Sequence, residues 1–382
     1  MFSSSPNRRH TGSLKWDVAE HELPMWVADM DFAAAPCIRR ALEARVAHGV
    51  FGYNIIPDAW ADAYISWWQR RHGLTMQRDW LVFCTGVVPA LSSAVRKLTT
   101  AAENVLIQTP VYNIFFNSIL NNGRRALQAP LHYAGGTYSI DWADLEAKLA
   151  DPQTTLMFLC NPHNPTGHIW SREELARIGD LCAAHGVTVI SDEIHCDLTD
   201  PGFDYTPFAA VNETCRAISV TCIAPTKAFN IAGLQTAAVC VPNPVLRHKM
   251  WRALNTDEVA EPNSFAVTAA VAAFNEGEPW LNELRAYLAA NKQAVRDFAA
   301  LSLPRVRVID SRATYLLWLD VSSYGLPSED VADSIRRSTG LYVSAGKEFG
   351  GPHDCFLRLN TACHRSMLEE GLRRLKEGLE KL

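Results

Sequence analysis

The chain of 382 residues lacks three features that would each assign it to a broad class of protein. It has no long block of lysine and arginine, and its 36 basic and 41 acidic residues leave a formal charge of -5, so we do not expect nucleic-acid binding. It has no apolar run approaching about 18 residues and no apolar core of a secretory signal, so we expect a cytoplasmic protein without a membrane partner. Its ten cysteines include no C-x-x-C pair, so neither a zinc ribbon nor a redox dithiol is indicated, and no metal site is predicted.

Short β-rich runs alternate with helical stretches from about residue 80 onwards. The strand-like runs are LVFC (81–84), NVLIQ (104–108), TLMFLC (155–160), VTVIS (187–191) and AISVTCI (217–223). Near-continuous apolar runs separated by helices are typical of a mainly parallel sheet that is covered on both faces. One intervening helix is well marked, because Ser171 and Glu174 form a capping-box pattern and Gly186 supplies a stop. The sequence therefore predicts an α/β fold.

The pattern changes near residue 280, where a long amphipathic helix begins with WLNELRAYLAANK. Strands are predicted after it near 306–310 and 314–320, and another helix near 328–338. We therefore predict a large domain over residues 46–280 and a smaller α+β domain over residues 281–382. Residues 1–45 are expected to contribute to the smaller domain.

Polar side chains follow the predicted strands at the points where the strands end. In open parallel sheets, ligands bind beyond the carboxyl ends of the strands. The first run is followed by Gly86 and a helix whose free amides suit an anion. Later runs are followed by Tyr112, Asn164, Asp192 and Lys227. Each residue alone has an ordinary explanation as a turn, a helix cap or a surface group, but their convergence on one rim indicates a binding site.

The segments at these strand ends resemble those of a known superfamily. In order they read GVV, PVY, NPHNPTG, SDEIH and TKAFNIAGLQ, with FLRLN near the end of the chain. Together they resemble the fold-type-I pyridoxal phosphate enzymes of the aspartate aminotransferase superfamily, over nearly the whole chain. Within it, LPMWVADMDF (23–32) and FGYNIIPDAW (51–60) are similar to the MalY/PatB group of cystathionine β-lyases and cysteine-S-conjugate β-lyases.

This resemblance implies pyridoxal 5'-phosphate as the cofactor, with Lys227 as the amine that binds its aldehyde covalently and later carries a proton. Asp192 is expected to face the pyridine nitrogen, where its charge favours the protonated ring. Asn164 is expected at the phenolic oxygen of the cofactor. Tyr112 is expected against the ring face, although a core aromatic role stays equally open. His195 is either a neighbour of the cofactor or a packing residue.

The resemblance also implies a phosphate site and a second copy of the chain. The amides of Gly86, Val87 and Val88 and the hydroxyl of Thr226 are expected to hold the cofactor phosphate. By analogy, Tyr53 reaches that phosphate from a neighbouring subunit, so the active unit is expected to be a homodimer with its active site at the interface.

Two departures from the superfamily pattern and one substrate residue bear on the reaction. Ala224 stands where a serine is frequent, and Gln235 stands where many aminotransferases carry a phosphate-binding arginine. The glutamine is frequent in the β-lyase group and favours that reaction. Arg358 is the candidate for the substrate α-carboxylate, because a guanidinium donates two parallel hydrogen bonds to a carboxylate; a surface ion pair is the alternative.

The resemblance thus implies a carbon–sulfur β-lyase that releases pyruvate, ammonia and a thiol from L-cystathionine or another S-substituted cysteine. An aminotransferase shares every cofactor contact and stays open, as do β-replacement and cyclisation. A pyridoxal phosphate-binding regulator would need a helix-turn-helix segment ahead of this fold, and the enzyme-like pattern already begins by about residue 23.

Overall fold

The computed structural model describes residue 2, residues 6–352 and residues 354–382. The α-helices of these residues are α1 (Pro36–His48), α2 (Asp58–His72), α3 (Val87–Leu98), α4 (Ile114–Leu120), α5 (Trp142–Leu149), α6 (Arg172–Ala184), α7 (Glu213–Ile218), α8 (Pro244–Thr256), α9 (Ala266–Glu276), α10 (Glu278–Ser302), α11 (Ser328–Thr339) and α12 (Arg365–Leu379). The strands are β1 (Leu23–Pro24), β2 (Leu81–Cys84), β3 (Asn104–Ile107), β4 (Arg125–Gln128), β5 (His132–Ala134), β6 (Thr137–Ser139), β7 (Thr154–Cys160), β8 (Thr188–Asp192), β9 (Ser219–Ile223), β10 (Ala237–Cys240), β11 (Arg307–Val308), β12 (Leu316–Asp320), β13 (Leu341–Tyr342), β14 (Ser344–Ala345) and β15 (Phe356–Asn360).

A seven-stranded sheet with the order β2-β10-β9-β8-β7-β3-β4 forms the centre of the structure. Strand β10 is antiparallel to both of its neighbours, and the other pairs are parallel. The five predicted runs are confirmed as β2, β3, β7, β8 and β9. Strands β4 and β10 were not predicted, since RALQ and AAVC are four-residue segments without a distinctive apolar pattern.

Both faces of the large sheet are covered, which explains the continuous apolar runs. In β7, Leu156 and Phe158 pack in one core cluster with Leu91 of α3, whereas Met157 packs in another with Leu175 of α6. Helix α6 begins as predicted, because the Ser171 side chain and Glu174 form a capping box. Successive residues of a strand point to opposite faces, so the run from Leu156 to Cys160 is apolar at every position.

A four-stranded antiparallel sheet with the order β11-β12-β15-β14 lies in the C-terminal part of the chain. It is preceded by the 25-residue helix α10, and α11 matches the helix predicted near 328–338. Strands β11 and β12 are shorter than the predicted 306–310 and 314–320. The parallel pairing of β1 with β13 joins the N-terminal segment to this part of the chain.

The N-terminal segment is anchored by buried charges. Lys15 is 1% exposed and its Nζ lies 2.6 Å from Asp31 Oδ2. Arg8 pairs with Asp29 and Asp31 as well. Charges taken out of water need such partners, so these pairs hold the segment that follows Leu23 in one position. The domain boundaries at residues 45 and 280 stay predictions.

None of the described helices combines the length and the apolar character that a bilayer crossing requires. All ten cysteines are free, and nine of them are buried.

Candidate active site

A cavity of about 200 Å³ lies at the carboxyl ends of the central strands, where ligands of open α/β sheets bind. Nine of the predicted site residues line it together: Gly86, Val87, Val88, Tyr112, Asn164, Asp192, His195, Thr226 and Lys227. They follow or end five strands, β2, β3, β7, β8 and β9, which are separated in sequence and meet only through the sheet order. The structure therefore brings these residues into one site.

Lys227 follows β9 and presents its amine to the cavity. Its Nζ donates a hydrogen bond to the Ala28 carbonyl oxygen at 2.5 Å. Burial, and then the charge of Arg358, lower the pKa of Lys227 to about 8. A sizeable fraction of this amine is therefore neutral near pH 8, which makes it a nucleophile for a carbonyl group.

Asp192 ends β8 and is 5% exposed. Burial raises its pKa to about 6, although the backbone amide of Ile194 donates to its Oδ1 at 3.1 Å. The carboxylate is still mainly ionised at neutral pH, so it can stabilise one cationic group in the cavity. Burial, followed by the charges of Lys227 and Arg358, lowers the pKa of His195 to about 3, so that imidazole is neutral.

Arg358 lies on β15 and is 6% exposed. Its Nη2 donates to the Trp26 carbonyl oxygen at 2.9 Å, and its Nη1 approaches Asn164 Oδ1 at 3.4 Å. Burial lowers the pKa of Arg358 to about 10, so the guanidinium keeps its charge at neutral pH. No carboxylate pairs with it among the described residues, so the surface ion pair considered from the sequence is not formed.

The first turn of α3 supplies free backbone donors. Gly86 is the N-cap of this helix, and no side chain caps it. Because the first amides of a helix have no acceptor within the helix, those at Val87 and Val88 are available to an anion. Thr226 adds a hydroxyl at the cavity wall and is 7% exposed. Burial, followed by the charge of Asp192, raises the pKa of Tyr112 to about 12, so its phenol stays protonated.

Two residues singled out in the sequence lie away from this cavity. Tyr53 is fully exposed and does not line the cavity of its own chain, so its predicted contact with a second copy stays a prediction. Gln235 is also exposed, at the end of a short helical turn, and has a left-handed backbone with φ 53°.

Sequence reasoning did not identify the backbone of residues 26–30 or Tyr315 as parts of the site. The Ala28 carbonyl accepts from Lys227 and also from the Tyr315 hydroxyl at 2.8 Å. Asn360 holds the same segment by donating to the Val27 and Asp29 carbonyls at 2.6 and 2.7 Å. A carbonyl group leaves no mark in the sequence, and LPMWVADMDF pointed to a family without pointing to this contact.

The polar groups of the cavity fit pyridoxal phosphate. One amine, one carboxylate and the free amides of a helix start suit its aldehyde, its ring nitrogen and its phosphate respectively. Two buried nitrogens, His195 Nδ1 and Arg358 Nε, have no hydrogen-bond partner in the described part of the chain. Unsatisfied buried polar atoms are costly, so their position here indicates a site that is completed by ligands.

Comparisons with known proteins agree with this geometry. The model of the family "Aminotransferase class I and II" matches residues 26–375. Cystathionine beta-lyase PatB of Bacillus subtilis (strain 168) is 43% identical over 384 residues and covers 99% of both chains. Protein MalY of Escherichia coli (strain K12) is 33% identical over 379 residues, which cover 97% of this chain and 96% of MalY. The crystal structure of cystalysin from Treponema denticola, which contains pyridoxal 5'-phosphate, has a TM-score of 0.96 and 30% identity over 100% of this chain and 99% of that one. These similarities confirm the predicted fold type and family.

Proposed function

Since the chain belongs to the aminotransferase class I and II family, we propose that it is a pyridoxal phosphate-dependent carbon–sulfur β-lyase. Its substrates are L-cystathionine or other S-substituted cysteines, and with one water molecule each gives pyruvate, ammonia and a thiol. The cofactor assignment depends on the shared cavity of Lys227, Asp192 and the start of α3. The choice of reaction depends on the similarity to PatB over 99% of both chains, because the cavity contacts alone are common to lyases and aminotransferases.

When bound, the cofactor supplies an electron-withdrawing ring that stabilises negative charge at the substrate α-carbon. Lys227 would hold the cofactor through its amine, and its Nζ would accept the substrate α-proton. The Ala28 carbonyl already accepts a hydrogen bond from this amine, so it is placed to hold the ammonium that would result. Asp192 would favour a proton on the ring nitrogen of the cofactor, because a carboxylate in a weakly polar site favours a neighbouring cation.

Arg358 orients the substrate by its α-carboxylate. Its guanidinium donates to the Trp26 carbonyl and approaches Asn164, and its Nε has no acceptor among the described residues. A guanidinium held in one orientation loses little entropy when it binds a carboxylate with two hydrogen bonds. Neutral His195 and protonated Tyr112 complete the walls, where they limit the access of water to the reacting atoms.

The proposed active unit is a homodimer in the cytoplasm. Apolar side chains of one continuous segment are exposed in the single chain: Val46, Val50, Phe51, Tyr53, Ile55 and Ile56. A contiguous exposed apolar segment of this size is typical of a protein interface. This segment includes Tyr53, which is proposed to reach the phosphate site of the partner subunit. The ten free cysteines suit a reducing compartment.

Two coupled assays test the reaction. Purified enzyme is incubated with L-cystathionine and with S-methylcysteine, and pyruvate is measured with lactate dehydrogenase while thiol is measured with a chromogenic disulfide. We expect pyruvate and thiol in equal amounts. If no cysteine conjugate yields pyruvate or thiol, and the enzyme instead transfers the amino group of alanine to an α-keto acid, the protein is an aminotransferase and not a lyase.

A further inference from the structure

A second, strongly polar cavity of about 220 Å³ lies behind the turn that carries active-site residues. Asp192 and His195 line the first cavity, whereas Cys196 and Thr199, which follow on the same turn, line the second. Its walls are formed mainly by charged and polar side chains. The second cavity therefore suits an ion or a small polar molecule.

Arg285 of α10 is the most unusual wall residue of this cavity. Its Nε and Nη2 donate to the carbonyl oxygen and the Oγ1 of Thr199, both at 2.8 Å. Among the described residues it forms no ion pair, and its Nη1 donates to no protein atom. Burial and then the charge of Arg71 lower the pKa of Arg285, while the charges of Asp197, Asp204 and Asp200 act in the opposite direction. A half-buried positive charge thus lies beside another positive charge, and no carboxylate of the described residues lies within ion-pair distance of it.

Arg71 of α2 presents the second guanidinium and is equally fixed. Its side chain is 11% exposed, its Nε donates to Asp197 at 3.3 Å and its Nη1 donates to Glu278 at 2.9 Å. It also lies 4.9 Å from the centre of the Trp67 ring. Its Nη2 has no acceptor in the described part of the chain. Two guanidinium groups are therefore preorganised around one small cavity, each with a free donor nitrogen.

The nearby carboxylates pair with Arg71 but not with Arg285. Glu278 is shared between Arg71 and Arg70, and Asp197 accepts from Trp67 and Arg71. Asp204 lines the cavity, is exposed and forms no hydrogen bond with either guanidinium in the described residues. Within the described part of the chain Arg285 has no hydrogen-bonded counter-charge, and an anion between the two guanidiniums would reduce their mutual repulsion.

A metal ion is the alternative occupant, since His72, Cys196 and Asp197 bring one ligand atom each within 4.8 Å of one another. However, His72 Nε2 already lies 2.9 Å from Asp197 Oδ1, and Trp67 Nε1 donates to both carboxylate oxygens. The adjacent guanidiniums would also repel a cation. The charges of the cavity therefore favour an anion.

We propose that this cavity is a binding site for a small oxyanion, held between the guanidiniums of Arg71 and Arg285. Its ligands share a compact anionic group with two or more oxygen atoms, as in inorganic phosphate or a short carboxylate. The occupied site ties α2 and α10 to the turn that continues from Asp192 and His195. It is separate from the cofactor phosphate site, which lies at the start of α3.

Calorimetric titration of the holoenzyme tests this site, because the cofactor then fills the other phosphate site. Inorganic phosphate and acetate are titrated separately at constant ionic strength, which is maintained with sodium chloride. The anion that binds with the higher affinity identifies the ligand class. We expect one binding event per chain. In Arg285→Gln its affinity falls at least about tenfold, because a charge-assisted hydrogen bond from Nη1 is lost. Arg296 is a half-buried arginine of the same helix that donates to the Ser311 carbonyl, and it serves as the control. The Arg296→Gln variant should bind the anion as tightly as the wild type does.

Unchanged affinity in Arg285→Gln, equal losses in both variants, or no binding of either anion to the wild type would overturn the proposal. If Arg285→Gln does not fold, a wild-type crystal soaked in selenate decides the question. An anomalous peak within hydrogen-bonding distance of Arg285 Nη1 supports the site. A soaked crystal without such a peak rejects the anion site. A zinc ion bound in this cavity by His72 and Cys196 also rejects it.

Discussion

Replacing Glu193 by glutamine should remove a specific pH dependence from the stability of the protein. Glu193 is completely buried beside Asp192, and it accepts hydrogen bonds from Ser191 Oγ, Tyr205 Oη and the Phe208 amide at 2.8 to 2.9 Å. These three donors favour the charged form, but burial dominates and raises the pKa of Glu193 from 4.5 to about 7.

The sign and the size of the effect follow from this pKa. Between pH 4.5 and 7 the folded protein keeps a proton on Glu193 that the unfolded chain releases. The stabilisation is complete below pH 4.5 and is lost as the pH rises through about 7. At about 1.4 kcal/mol per pH unit, the free energy of unfolding falls by about 3 kcal/mol over this window because of Glu193. In Glu193→Gln this contribution disappears, since glutamine has no proton to release.

The assay is equilibrium urea unfolding of the holoenzyme, followed by tryptophan fluorescence at four pH values from 5 to 8. We expect the difference in unfolding free energy between Glu193→Gln and the wild type to rise with pH and to level off above pH 7. Glutamine preserves the shape, and the Tyr205 hydroxyl can rotate to accept from its amide. Glu276→Gln, whose side chain is 61% exposed, serves as the control and should follow the wild type. Parallel wild-type and Glu193→Gln curves across the window would show that Glu193 is already ionised at pH 5 and that the reasoning is wrong.

Four further changes test the active site and the core. Lys227→Ala should abolish the visible absorption of the cofactor–lysine linkage and lower kcat by at least about 10³-fold, as absorbance and pyruvate release would show; a coloured, active variant would exclude Lys227 as the attachment point. Asp192→Asn should keep the cofactor bound but lower kcat by about 10²-fold or more, because the ring proton is no longer stabilised; unchanged kcat would contradict that role. Arg358→Lys should lower kcat/KM at least about tenfold, mainly through KM, because a lysine cannot form the bidentate contact; an equal fall in kcat alone would point away from carboxylate binding. Phe274→Ala should cost about 3–5 kcal/mol in urea unfolding, since this 1%-exposed ring packs against Tyr64 and two tryptophans of α2, whereas Leu301→Ala, at 88% exposure, should cost almost nothing.

The active-site side chains were largely predictable because they follow apolar runs that can only be buried strands. Asp192 is the last residue of β8, Lys227 lies just beyond β9, and parallel strands bring their carboxyl ends to one edge. The helix start at Gly86 was recognisable for the same reason. The family resemblance then supplied the roles, which the comparisons support for the fold and the cofactor.

The contacts made by main-chain atoms were not predictable. The Ala28 carbonyl meets Lys227 across 199 residues of sequence, and the Trp26 carbonyl meets Arg358 across 332. A carbonyl group is the same at every position, so no residue type marks the one that binds. Similarly, β10 looked like no strand in the sequence, yet it inserts between β2 and β9 in antiparallel orientation.

The sequence by itself determined which segments are buried and which reactive groups stand at their ends, because apolar periodicity and side-chain chemistry are local properties. Only the tertiary structure decided which of these groups meet, which charges stay unpaired and how burial shifts their pKa values. Arg285 is a half-buried arginine that forms no ion pair in the described residues, and nothing in its neighbouring residues distinguishes it from an ordinary surface cation. The segment FLRLN marked Arg358 by resemblance, but only the structure shows that this guanidinium is buried against the Trp26 carbonyl. Electrostatic interactions depend on distance and on the loss of water, and these are set by the packing of segments that lie far apart in the chain.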